Sequence, residues 1–107
     1  MRSLEGKVAI VTGGSSGLGK ATLQKFAEQG AIVINWDVNE ERGQALAASF
    51  TRDGHTAAFF HVDTSNADAV RDAAFQVIAK FGKIDILVNN AGITRDATLL
   101  KMTDEQW

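Results

Sequence analysis

The chain contains no cysteine and no proline. Without cysteine there is no disulfide, no thiolate nucleophile and no Cys-ligated zinc. The same absence suits a reducing compartment. At average usage a chain of this length would hold about five prolines. With none there is no Pro-rich linker, and no repeat or low-complexity stretch marks a domain boundary. No apolar run approaches the ~18 residues that span a bilayer. The opening Met1-Arg2-Ser3-Leu4-Glu5-Gly6 has one basic residue and no apolar run, so it does not read as a signal peptide. The formal net charge is only −2, with Lys and Arg scattered. Neither nucleic acid nor an anionic membrane is therefore expected as a partner. These absences together place the expected location in the cytoplasm.

What remains is an ordinary globular composition, 45% hydrophobic and 22% charged over 107 residues, enough for one small domain. Short apolar runs alternate with longer helical patterns. Residues 7–11 carry Val-Ala-Ile-Val with no polar alternation, which suits a strand covered on both faces. A glycine-rich turn follows, then a helix over 17–29 with Gly30 at its C-terminal cap. Strands are expected at 32–36, 57–62 and 84–88, and a second helix at 40–52. The third helix is the clearest: Ala67, Val70, Ala74, Val77, Ile78 and Phe81 fall on one face. Ser65 is the expected cap, Asp68 stands in the first turn and Gly82 ends the helix. Strands alternating with helices imply a doubly wound parallel α/β sheet, here in spatial order 3-2-1-4 with the fourth strand at an edge. Thr103-Asp104-Glu105-Gln106 has the form of a capping box, and the sequence stops at Trp107. The expectation is a piece of a longer protein. Such a piece should be weakly folded or self-associated and should hold its ligand poorly.

Thr12-Gly13-Gly14-Ser15-Ser16-Gly17-Leu18-Gly19 lies between the first strand and the first helix. A phosphate approaching a helix N-terminus meets free N–H groups and the positive end of the dipole, and glycines clear its path. A tight turn without a ligand is the plainer alternative. Two phosphate ligands fit. Gly14 to Lys20 matches the first seven positions of a nucleoside-triphosphate loop, but the eighth, which needs a hydroxyl for magnesium, is Ala21. Thr22 comes one residue late, and a helix turns about 100° per residue. Asp37 favours a dinucleotide instead. It ends the second strand, 18 residues after Gly19, where a carboxylate can accept hydrogen bonds from the adenosine ribose.

These residues resemble the short-chain dehydrogenase/reductase family. The turn Thr12-Gly13-x-x-x-Gly17-x-Gly19 matches its cofactor fingerprint, and Asn89-Asn90-Ala91-Gly92 after the fourth strand matches its second signature. The resemblance runs the length of the chain. Gly92-Ile93-Thr94-Arg95-Asp96 and Lys101-Met102-Thr103 look most like the 3-oxoacyl-(acyl-carrier-protein) reductases and the similar acetoacetyl-CoA reductases. The resemblance implies a Rossmann-type domain of which residues 1–107 are the N-terminal, dinucleotide-binding part. It implies that Gly13, Ser15, Ser16, Gly17, Leu18 and Gly19 hold the pyrophosphate and neighbouring ribose. Asp63 and Thr64 would flank the adenine, and Asn90, Ala91 and Gly92 would line the cofactor near the nicotinamide ribose. Thr64 replaces a usually apolar residue.

Two departures bear on cofactor choice. NADP-using relatives often carry Arg where this chain has Ser16, and they tend to lack an acid at Asp37. A carboxylate would repel the 2′-phosphate, with no nearby arginine to offset it. NAD is therefore expected, with NADP less favoured. The family's catalytic Ser, Tyr and Lys have no counterpart, since the chain has no tyrosine at all. No catalytic residue and no metal ligand is assigned. His55 and His61 read as loop and strand residues, and Asp85 as a structural hydrogen-bonding residue. The implied parent is an NAD(P)-dependent oxidoreductase acting on a carbonyl or alcohol, such as a 3-oxoacyl thioester, and forming a homo-oligomer. A non-catalytic dinucleotide-binding module and a P-loop phosphohydrolase are the alternatives.

Overall fold

A computed structural model describes residues 3–90. The elements alternate along the chain as β1 (Val8–Thr12), α1 (Gly17–Glu28), β2 (Ile32–Asp37), α2 (Glu40–Arg52), β3 (Ala57–His61), α3 (Ala67–Phe81) and β4 (Ile86–Asn89). All neighbouring strands are parallel and lie in the order β3-β2-β1-β4, as expected.

The sheet divides two cores. Val8 and Ile10 of β1 join Ile34, Trp36 and Leu87 beneath Val70, Ala74 and Val77 of α3. Ala9 and Val11 face the other way, joining Val33 with Leu23 and Ala27 of α1 and Phe50 of α2. Every residue of β1 is buried, which is why its sequence shows no polar alternation. Each fully buried Val, Leu or Ile side chain contributes about 1.5–3 kcal/mol, so the central strand anchors both layers.

The element ends depart from expectation in two places. Asn66, not Ser65, caps α3: its Oδ1 accepts the Ala69 N–H at 3.1 Å. Ser65 is drawn away by Asp63, whose Oδ1 accepts both the Ser65 N–H (2.9 Å) and its hydroxyl (2.6 Å). A charged acceptor two residues upstream outcompetes the neutral helix end. Gly82 then closes α3 at φ 90, donating its N–H to Ile78 O.

β4 starts at Ile86 rather than residue 84. Asp85 brackets the start of β1, donating its N–H to Val8 O (2.9 Å) while its Oδ2 accepts the Val8 N–H (2.8 Å). Lys83 Nζ lies 3.2 Å from the same oxygen. Burial pushes the Asp85 carboxyl up, but the Val8 N–H and Lys83 outweigh it and hold the group below its ordinary value. The structural role expected of Asp85 is thus met. Among the described residues nothing pairs with the far edge of β4, and no helix is long and apolar enough to cross a membrane. The capping pattern at 103–106 lies outside the described residues.

Candidate cofactor-binding site

The C-terminal ends of β1, β2 and β4 meet the N-terminus of α1, and the glycine turn fills the junction. Gly13 adopts φ 64, a left-handed conformation that favours glycine, and its N–H donates to Trp36 O at 2.7 Å. Gly14 is packed: a Cβ there would stand 2.5 Å from Asn35 Oδ1 and 2.6 Å from Leu23 Cδ1. Gly19 is packed as well, since a Cβ would collide with Gly13 O and come within 2.8 Å of Gly14 Cα. The chain's own geometry therefore demands glycine at 13, 14 and 19. Gly17 is different. Its φ is not positive, and a Cβ would meet nothing within 4 Å. No contact among the described residues calls for glycine at 17; a ligand close to the helix start would.

The start of α1 is left open to an anion. Ser16 occupies the N-cap without a side-chain cap bond and instead donates its hydroxyl to Gly13 O at 2.9 Å. No acidic residue stands in the first turn. The first N–H groups of a helix have no intrahelical acceptor; here Lys20 N–H already reaches Ser16 O, which leaves Gly17, Leu18 and Gly19 at the positive end of the dipole. The triphosphate-loop alternative loses its remaining support. The Thr22 hydroxyl donates to Leu18 O at 2.9 Å and is spent on the helix backbone.

Asp37 stands at the end of β2, beside the turn. Its Oδ2 accepts the Ser15 N–H at 3.0 Å and its Oδ1 the Asn39 N–H at 3.1 Å. Partial burial pushes its carboxyl up, but the Asn39 and Ser15 N–H groups and the Ser15 hydroxyl outweigh that and hold it below the ordinary value. Leu18 and Val38, 69% and 59% exposed, leave apolar surface beside the turn and just after Asp37.

One expectation needs correction. Arg42 lines a cleft of about 300 Å³ together with Ser15, Lys20, Ala45, Leu46 and Ser49, so an arginine does lie near the turn. The first turn of α2, capped by Asn39 on the Arg42 N–H, follows directly on Asp37 and places Arg42 in the same cleft as Ser15, whose N–H is on Asp37.

The second signature reinforces the first. The Thr12 hydroxyl donates to Asn89 Oδ1 at 2.7 Å, a buried bond joining β1 to β4. Asn90 Nδ2 donates to Gly13 O at 3.2 Å. The two motifs are thus one hydrogen-bonded unit, although 77 residues separate Gly13 from Asn90. Asp63 is exposed, its carboxyl held below the ordinary value by the Ser65 hydroxyl and N–H, and Thr64 beside it is half-buried. Ala91 and Gly92 lie outside the described residues. His55 packs edge-on against Phe50 and His61 ends β3, exposed; neither joins the turn. Asn35 is the site residue the sequence reading missed. It is 3% exposed and bonds to both Gly14 and Ser15. The available signal was one amide inside the apolar run Ile32-Val33-Ile34-Asn35-Trp36.

Comparison with known proteins agrees with this geometry. A family model described as short chain dehydrogenase matches residues 7–107. The 3-oxoacyl-[acyl-carrier-protein] reductase of Chlamydia pneumoniae is 49% identical over 105 residues, covering 98% of this chain and 42% of that protein. The chain thus spans about two-fifths of the length of the curated relatives it matches. Among solved structures, an NAD+-bound xylitol dehydrogenase aligns with a TM-score of 0.80 at 37% identity, covering 84% of this chain and 35% of that one. A metagenomic short-chain oxidoreductase in complex with NADP aligns with a TM-score of 0.79 at 39% identity, covering 84% and 41%. A Rossmann-type sheet in this strand order, with the glycine turn and the Asn pair bonded at its head, makes this chain a member of the short-chain dehydrogenase family.

Proposed function

We propose that residues 1–107 are the dinucleotide-binding part of a single Rossmann-type domain, in a protein that moves a hydride between a nicotinamide cofactor and a carbonyl or alcohol. Gly17 carries the reading. The described residues give no steric reason for a glycine there, and the N–H groups of Gly17, Leu18 and Gly19 at the helix start suit a pyrophosphate. Asp37 and Ser15 would receive the adenosine ribose, Asp63 and Thr64 the adenine, and Asn90, Ala91 and Gly92 the cofactor toward its nicotinamide. The bound cofactor supplies the hydride chemistry; this chain's residues bind and orient it. Similarity to the Chlamydia pneumoniae reductase supports a 3-oxoacyl thioester as the substrate class. A cytoplasmic homo-oligomer completes the reading.

NAD(H) is the proposed cofactor, because a carboxylate at Asp37 would repel a 2′-phosphate brought to the end of β2. A second reading has an observation of its own. Lys20 and Arg42 line the cleft beside Ser15, and no ion pair engages either among the described residues. That charge would suit the extra phosphate of NADP. Calorimetric titration of the native polypeptide that carries this sequence, with NADH and then NADPH, separates the two. Tighter binding of NADPH would overturn the NAD assignment, and binding of neither would overturn the dinucleotide reading.

A further inference from the structure

A strand buried on both faces favours apolar side chains throughout, and before its last residue, Asp37, β2 obeys except at Asn35. Burying a primary amide is costly unless its donors and acceptor are bonded. Here both ends are engaged: Oδ1 accepts the Gly14 N–H at 2.9 Å, and Nδ2 donates to Ser15 Oγ at 3.0 Å. The amide cannot be reversed, because Nδ2 would then face the Gly14 N–H, donor against donor. Since Ser15 Oγ accepts from Asn35, its own proton is left to donate. The Asp37 carboxylate lies beside it, its Oδ2 taking the Ser15 N–H at 3.0 Å, and the Ser15 side chain helps to hold that carboxyl below its ordinary value. The three residues thus form one series through Ser15, the Asn35 amide donating to its hydroxyl and its N–H donating to the Asp37 carboxylate. A valine like Val33 would fill the strand more cheaply, but it would leave the Gly14 N–H without a partner and the Ser15 hydroxyl free to rotate.

We propose that Asn35 is the positioning residue for ribose recognition, fixing the Ser15 hydroxyl toward Asp37 so that the carboxylate presents one orientation to the adenosine 2′-hydroxyl. This rests on the ribose role proposed above for Asp37. The carboxylate retains lone pairs for the ribose after accepting from Ser15 and Asn39, and the series decides which way they face. Asn35 touches no ligand; it acts through Ser15.

The test compares NADH with its 2′-deoxyadenosine analogue in the native polypeptide that carries this sequence. A charge-assisted bond to the 2′-hydroxyl gives a preference of roughly tenfold or more for NADH. Asn35→Asp keeps an acceptor for the Gly14 N–H but has no donor for Ser15, so the preference should fall toward one. Ser15→Ala, which leaves the Asn35–Gly14 bond in place, should lower it equally. In the Ser15→Ala background Asn35→Asp should change the preference no further. A residue that merely holds the fold would weaken both ligands alike and leave their ratio intact. If Asn35→Asp does not fold, Ser15→Ala decides alone: an unchanged ratio overturns the proposal. Asp37→Ala separates the two levels. If it abolishes the preference while Ser15→Ala preserves it, the ribose reading stands and the positioning role falls. If Asp37→Ala preserves it, both fall.

Discussion

Substituting the glycines of the turn one at a time separates what the fold requires from what a ligand requires. Gly17→Ala places a methyl group in open space at the first position of α1, where φ is not positive. Alanine is better than glycine in a helix by roughly 0.5–1 kcal/mol, mostly in the interior, so the thermal midpoint should hold or rise slightly. The same methyl stands where a pyrophosphate would approach the N–H groups of Gly17, Leu18 and Gly19. Losing one or more charge-assisted bonds costs about 1.5–3 kcal/mol each, so the dissociation constant for NADH should rise roughly 10–150-fold. Gly19→Ala should do the reverse of a clean binding defect. Its methyl would meet Gly13 O and Gly14 Cα, both backbone. Overpacking of that kind costs about 1–3 kcal/mol, and stability should drop along with binding. Calorimetric titration with NADH and thermal unfolding of both variants form the assay. Wild-type affinity in Gly17→Ala would refute the argument, because the open space would then be unrelated to the cofactor.

Asp37→Ala should weaken NADH and relieve the exclusion of NADPH, each by about 1–3 kcal/mol; competitive binding checks it, and an unchanged ratio counts against the ribose role. Asp37 and Asp85 both have carboxyls held below their ordinary value of 3.8. A folded-state value below the unfolded one stabilises above the unfolded value and is lost as pH falls through the folded one. Urea unfolding should therefore report declining stability below about pH 4, with a shallower decline in Asp85→Asn; stability that rises on acidification would contradict this. Gly43→Ala should destabilise by roughly 1–3 kcal/mol, because its Cβ would collide with the Phe59 ring where α2 packs on β3; a wild-type urea midpoint would show that the ring can yield. Residues 1–107 expressed alone should not oxidise NADH with acetoacetyl-CoA, since no tyrosine is available and an acid/base group must reach the proton it moves; sustained loss of NADH absorbance would refute it.

The sheet was legible because parallel strands leave their mark locally. Val8 to Val11 had to be apolar on both faces, and the helical period of α3 was set by one core. Element ends were less legible, because they depend on competition between neighbours. Ser65 and Asn66 are both good caps, and only the Asp63 carboxylate, by engaging Ser65, decides between them. The site divides along the same line. The glycines and the Asn pair were visible as motifs, but the sequence carries no sign that Asn90 would reach back to Gly13 or that Arg42 would share a cleft with Ser15. Those are consequences of the crossovers, which bring chain segments tens of residues apart to one end of the sheet. Asn35 was legible in principle and for a physical reason: an amide in a doubly covered strand is too costly to bury without partners. The groups it could satisfy lie at the head of the adjacent strand, in the turn that follows β1. A polar residue alone in an apolar strand is therefore a pointer to whatever that strand's neighbour must hold still.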